Sequence, residues 1–372
     1  MNPPPRTGPQ KRMHERGNLD GTYKKWKTEG PGIVLVIHGP EIFDSGAVME
    51  IVRLLDPSRL IVAGVMARTA AEESGLSCEY PGLPPSVVMK EIREPAILAN
   101  QGKTPDSGRI FGEIVASRLE RKGLLQIELS GRRVFCWGRP VDDLALGIAA
   151  LTGCEAVSME IPDPVRDPGT RIIRGCVRGE PVYVNGIVIG KASGEEVVLR
   201  SDGEDVIPVS GLIAKSHGLE KLRRLGRVDI SRAWCKSGSV RSKSPAISKR
   251  TGSSGRVVFV DHCGHRLYDE IHHKGVCGIV SVGDDTTYVC GHIGAHLGIP
   301  VFGIVDGDRD QVVSPGFAPG SWLALADPGT DDELGLEIAP LIPAGIVEWE
   351  EFVGQLVDRL GDRAKVRSCG QD

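Results

Sequence analysis

The stretch GIVSVGDDTTYVCGHIGAHLGIPVFGIVDGDRD, Gly278 to Asp310, reads strand, acidic turn, helix, strand, acidic turn. Its apolar runs, Cys277–Val282 and Val301–Val305, show no polar alternation, as expected of strands buried on both faces of a parallel sheet. Both acidic turns then fall at the carboxyl ends of the strands, where open α/β sheets hold ligands. Asp284, Asp285, Asp306 and Asp308 are therefore the candidate catalytic residues. Asp284, Asp306 and Asp308 are also candidate ligands for Mg2+, which takes one or two carboxylates with waters and substrate phosphates. Thr286 and Thr287 stand at the helix start, where free N–H groups favour an anion. Asp and Thr are also ordinary N-caps, and Asp-Gly is an ordinary turn.

Working outward, Val257–Val260 and Trp322–Ala326 read as further strands, His265–His272 as a helix, and Glu348–Leu360 as a closing amphipathic helix. The N-terminal part repeats the alternation. Ile33–Ile37, Leu60–Val65, Ala96–Ala99, Leu124–Leu129, Arg133–Trp137 and Ala156–Ile161 read as strands, with helical patterns between most of them. Between these parts, Arg171–Ser210 is a run of short strand-like segments, with Asn185-Gly186 as a hairpin turn. The expected architecture is α/β and multi-domain, with Rossmann-like parallel sheets at both ends and a small all-β module between. The boundaries are a disordered leader at 1–31, an α/β domain at 32–165, the β module at 166–220, a basic linker at 221–256, a second α/β domain at 257–361 and a tail at 362–372.

The 372 residues include 40% hydrophobic and 25% charged side chains, the balance of a globular chain with a substantial core. No apolar run approaches the ~18 residues that span a bilayer, and the N-terminus has no secretory h-region. The nine cysteines are scattered, without CxxC, which points to a reducing, cytoplasmic setting. Lys221–Arg256 holds eleven Lys or Arg residues against one acid, Asp229, in a chain of net charge −4. Its Ser/Gly/Lys/Arg composition suits a solvated linker, or a segment that contacts nucleic-acid phosphates.

Asp44-Ser45-Gly46 and Asp106-Ser107-Gly108 each follow a strand and precede a helix. Ser45 and Ser107, with Lys103 and His38 beside them, are candidate cofactor-binding residues for a phosphate group. Gly102-Lys103-Thr104 is not a P-loop: Ile97 stands where the first glycine belongs, and Pro105 interrupts the helix start. If Asp44 and Asp106 cap the helices themselves, the loops are structural. Six of the nine histidines lie between His262 and His296. Cys290 and His292 are two apart on a helix and face different ways, whereas His292 and His296 share a face; metal binding there stays open.

The segments IVLVIHGPEIFDSG, VNGIVIG, GDDTT and IVDGD together resemble an archaeal family, found mainly in methanogens and described only as a domain of unknown function. The resemblance covers Gly32 to about Asp310. It implies an archaeal cytoplasmic protein and carries no activity with it. The C-terminal pattern is similar to toprim domains, which hold Mg2+ with a Glu after one strand and Asp-x-Asp after a later one. Asp306 and Asp308 match the second part, and Asp261 or Asp284 would replace the Glu. The favoured expectation is a Mg2+-dependent enzyme acting on a phosphate-bearing small molecule or nucleotide, with no membrane partner. The alternatives are a non-catalytic ligand-binding or regulatory protein and a toprim-like nucleic-acid-processing protein.

Overall fold

The computed structural model describes residues 32–119, 123–162, 169–203, 205–224, 226–271, 275–308, 310 and 312–369. The leader expected at 1–31 lies outside them. The chain divides into two units, 1–166 and 167–372. Among the described residues no helix is long and apolar enough to cross a membrane.

The first unit runs β1 (Val34–His38), α1 (Glu41–Asp44), α2 (Ala47–Leu55), β2 (Arg59–Ala63), α3 (Val65–Ser74), α4 (Pro85–Glu91), β3 (Ala96–Asn100), α5 (Pro105–Ser117), β4 (Leu124–Glu128), β5 (Arg133–Trp137), α6 (Asp143–Thr152) and β6 (Glu155–Met159). Its six-stranded sheet has the order β2-β1-β3-β4-β5-β6. All pairs are parallel except β4–β5, which the Ser130-Gly131 turn joins as a hairpin. Val34, Leu35, Val36 and Ile37 are all fully buried. Leu35 and Ile37 pack with α2, α3 and α6, and Val34 and Val36 with α4 and α5. Two covered faces explain why the run carries no polar alternation.

The second unit begins with two antiparallel sheets. They hold β7 (Thr170–Arg174), β8 (Pro181–Val184), β9 (Ile187–Ala192), β10 (Glu196–Asp202), β11 (Asp205–Ser210) and β12 (Leu212–Ala214), followed by α7 (Ser216–Arg224) and β13 (Cys235–Ser237). Its α/β part runs β14 (Ser254–Asp261), α8 (Leu267–Glu270), β15 (Val276–Val282), α9 (Asp284–Leu297), β16 (Val301–Val305), β17 (Trp322–Ala326), α10 (Asp331–Ile338), β18 (Val347–Glu348), α11 (Trp349–Leu360) and β19 (Ala364–Ser368). The sheet order is β18-β14-β15-β16-β17-β19, parallel from β14 to β17. Val280, Val282, Phe302 and Ile304 form one core with Leu334 and Ile338 of α10 and Trp349, Phe352 and Leu356 of α11. On the other face Thr287 of α9 meets Ser281 and Gly303.

Two expectations need correction. The basic stretch 221–256 is not a bare linker. It contains the end of α7, β13 paired with β8, and the start of β14. Within it Arg241 is 1% exposed, and its Nη1 lies 3.2 Å from Nε2 of buried His292. Ser248 N and Thr251 N donate to Ala295 O and Gly298 O along the end of α9. Several of its cations are paired with acids far along the chain, among them Asp331, Asp332 and Glu350. The expected tail is partly strand, since β19 pairs antiparallel with β17.

At Gly278 the core leaves no room for a side chain: a Cβ there would lie 2.0 Å from the ring of buried Trp349. Gly278→Ala is expected to cost roughly 1–3 kcal/mol of unfolding free energy, the range for overpacking a close-packed core. Gly354, exposed inside α11 with nothing within 4 Å of its Cβ position, is the control. Gly354→Ala is expected to gain about 0.5–1 kcal/mol through helix propensity. Urea denaturation of both variants checks the pair; equal effects would place the restriction elsewhere.

Candidate functional site

β14, β15 and β16 run parallel, so the segments that leave them share one edge. Asp261 ends β14, Asp284 and Asp285 follow β15, and Asp306 and Asp308 follow β16. Asp284, 5% exposed, accepts hydrogen bonds at Oδ2 from the amides of Asp306 and Gly307, both at 3.0 Å. Asp306 Oδ1 accepts from Asp308 N at 3.3 Å. One carboxylate oxygen from each of Asp284, Asp306 and Asp308 lies within 4.8 Å of the others. The three sequence-predicted metal ligands therefore stand together.

Asp285 is not part of this triad. Its Oδ1 accepts from Asp310 N at 3.2 Å, further along the same loop. Burial, with the charge of Asp310, pushes its carboxyl up to about 7. Burial likewise raises Asp284, reinforced by Asp306 and Asp308 and opposed by the two amide bonds. Thr287 is a packing residue rather than a ligand-binding one. It is fully buried, its hydroxyl 2.9 Å from Ser281 Oγ and its methyl beneath Gly303. Thr286 lies in the first turn of α9, where Asp284 and Asp285 already supply the negative charge that a helix start favours.

Sequence reasoning missed the cations. Lys215, just before α7, reaches Asp308 Oδ2 at 3.0 Å, Asp308 O at 2.9 Å and Asp310 Oδ2 at 2.7 Å. His217 Nε2 lies 3.8 Å from Asp308, Lys221 Nζ 3.9 Å from Asp331, and Arg224 Nη1 3.5 Å from Asp332. Residues 217, 221 and 224 share one face of a helix, so this spacing was the available signal. Burial alone would raise Asp308, but the hydrogen bond and charge of Lys215 outweigh it and hold the carboxyl below its ordinary range. Burial lifts Asp331 to about 6 against the pull of Lys221.

In the first unit, His38 ends β1 and Asn100 ends the adjacent β3. In the order β2-β1-β3 the connection reverses direction between these strands, which is where doubly wound sheets open a crevice. Ser45 Oγ donates to Gln101 Oε1 at 2.7 Å, so the two DSG-bearing loops do meet. His38 Nδ1 lies 2.8 Å from Ala63 O, and its ring stacks on Phe111 at 4.4 Å. Ser107, however, is spent in a capping box: its amide bonds Thr104 Oγ1, and its hydroxyl bonds the Thr104 amide and carbonyl. Asp106 pairs with Arg109 at 2.8 Å. Lys103 stands exposed in the loop between β3 and α5. The start of α5 is thus capped, by Thr104 rather than by Asp106 as expected, and an anion would find the Ser107 N–H already used.

Lys215→Ala is expected to lower the unfolding free energy by roughly 1–3 kcal/mol, since it strips charged hydrogen bonds from the well-buried Asp310 and from Asp308. The loss should shrink when Asp310→Asn is also present, because the two changes remove one interaction. Strictly additive losses in chemical denaturation would show no coupling between them.

The model of the family described as "Uncharacterized protein conserved in archaea (DUF2117)" matches residues 35–345. "Uncharacterized protein MJ0065" of Methanocaldococcus jannaschii is 32% identical over 327 residues, which span 82% of this chain and 89% of that protein. No solved structure matches the chain. The toprim likeness has no counterpart in these comparisons. With the family model covering most of its length and a relative at this identity, the chain belongs to the conserved archaeal family DUF2117.

Proposed function

We propose that the second unit is a Mg2+-dependent enzyme acting on a phosphate-bearing small molecule or nucleotide at the carboxyl edge of β15 and β16. The observation that carries this reading is the convergence of Asp284, Asp306 and Asp308 within 4.8 Å. An all-oxygen set of this kind suits a hard cation that keeps waters and takes substrate phosphate oxygens. Lys215, His217 and Lys221 fit the same reading, since each bears on Asp308. With the ion on the carboxylates, their attraction for these cations falls, and the ammonium groups become available to phosphate oxygens. Lys215 is held above its ordinary lysine range, since Asp310 and Asp308 more than offset its burial, so it stays charged at neutral pH. The nucleic-acid reading of 221–256 has less support, because Lys221, Arg224, Arg241 and Arg250 already have partners within the fold.

A thermal-shift screen of nucleotides and phosphorylated metabolites, with and without Mg2+, tests the reading. The expected result is a melting temperature raised by some phosphate ligand only when Mg2+ is present, with the increment lost in Asp306→Asn. A ligand at 100 times its dissociation constant stabilises by about 2.7 kcal/mol, which such a screen resolves. If no ligand shows a Mg2+-dependent shift, or if Asp306→Asn keeps it, the proposal fails.

A further inference from the structure

A second group of side chains stands on the same edge and plays no part in the reading above. His262 follows β14, and Asp331 and Asp332 open α10. One atom from each lies within 4.8 Å of the others. We propose that His262, Asp331 and Asp332 form a site for a first-row transition divalent cation of the Zn2+ class, separate from the all-oxygen triad of Asp284, Asp306 and Asp308.

The strongest observation is an orphaned oxygen. The Asp331 side chain is completely buried, and its Oδ2 has no hydrogen-bond partner. Buried polar atoms are nearly always satisfied, so a desolvated carboxylate oxygen left bare calls for a ligand. Its other oxygen, Oδ1, accepts from Asp332 N at 2.9 Å and lies 3.9 Å from Lys221. The ammonium thus stands by Oδ1 and leaves Oδ2 without a partner.

The imidazole is prepared in the same sense. His262 Nδ1 lies 2.5 Å from Asp261 Oδ1, a carboxylate that can only accept, so the ring donates there and Nε2 faces away from Asp261. A carboxylate behind a histidine in this way fixes the tautomer of metal-bound imidazoles. Nε2 is buried without a hydrogen-bond partner. It lies 3.4 Å from Asp332 Oδ1, close but without hydrogen-bond geometry. Two ligand atoms of a tetrahedral zinc ion stand ~3.3 Å apart, so that spacing fits a shared cation better than a direct bond.

The backbone is arranged around the ring. His262 takes φ 51, a left-handed conformation uncommon for residues other than glycine. A Cβ at Gly283 would lie 3.1 Å from His262 Nε2, so a glycine there leaves that nitrogen clear. One nitrogen and two carboxylates select a borderline transition ion over Mg2+.

The test uses the full chain, stripped by a chelator, dialysed and titrated with Co2+ while visible absorption is followed, with Zn2+ as competitor. Wild type and Asp306→Asn are expected to take up Co2+ with d–d bands that Zn2+ abolishes. His262→Gln and Asp332→Asn should weaken Co2+ binding at least tenfold, and His262→Gln should also change the band positions. Melting followed by circular dichroism verifies that each variant folds, and partly exposed Asp332 supplies the readout if His262→Gln does not. No saturable uptake by wild type, unchanged uptake in Asp332→Asn, or loss in Asp306→Asn alone would overturn the proposal. Asp306→Asn separates this site from the Mg2+ reading, so either can fail without the other.

Discussion

Five aspartates, Asp284, Asp285, Asp306, Asp308 and Asp310, crowd the segments that leave β15 and β16, and the second unit is built around making that crowding tolerable. Two like charges ~4 Å apart near a protein surface repel by about 4 kcal/mol. Three devices relieve the repulsion. Backbone amides of the 306–310 loop bind Asp284 and Asp285. Lys215 joins Asp308 to Asp310. Asp285 is buried deeply enough to be partly protonated near neutral pH. Each device draws on a different element, so the edge ties together β15, the loop after β16 and the chain entering α7.

That tie explains why the second unit is one body rather than a β module, a linker and an α/β domain in series. The cations near α7 answer acids that lie between 90 and 110 residues away: Lys215 with Asp308, Lys221 with Asp331, Arg224 with Asp332. Arg241 extends the same logic inward. Its buried Nη1 is met by His292 Nε2, which accepts its N–H, while His292 Nδ1 donates to Ser314 O at 3.0 Å.

The strands of both parallel sheets were legible because burial on two faces leaves an apolar run that composition alone reveals, as in Val34–Ile37 and Val276–Val282. The acidic turns were legible for the same reason, since each follows such a run. The role of 221–256 was not. A Ser/Gly/Lys/Arg stretch reads the same whether its charges meet water or meet acids distant in sequence. Asp331 and Asp332 repeat the pattern of Asp284 and Asp285, two acids opening a helix after an apolar strand. Residues 327–330 separate them from that strand and hide the parallel. β12 and β13, three residues each, are too short to carry a periodicity.

The carboxyl edges of the two units differ in how completely their polar atoms are satisfied. In the first unit Glu128 is fully buried, yet Gly102 N, Ser130 N, Ser130 Oγ and Gly131 N all donate to it. Gln126 binds Asn100 Oδ1, Gly108 O and Trp137 Nε1. Thr104 and Ser107 satisfy each other. A network closed in this way rigidifies the loops between β3 and β4 and leaves its buried members no spare valence for a ligand. In the second unit Asp331 Oδ2, His262 Nε2, His217 Nε2, Tyr183 Oη and Arg171 Nε are buried without hydrogen-bond partners among the described residues. Asp331 and His217 stand beside the same acid edge, and the charges of Asp285 and Asp310 act on Tyr183. Unsatisfied buried atoms cost folding free energy. That cost is met by closing the polar network in the first unit, whereas in the second Asp331 and His262 leave bare atoms beside the acid edge, which is why the proposed cation sites fall there.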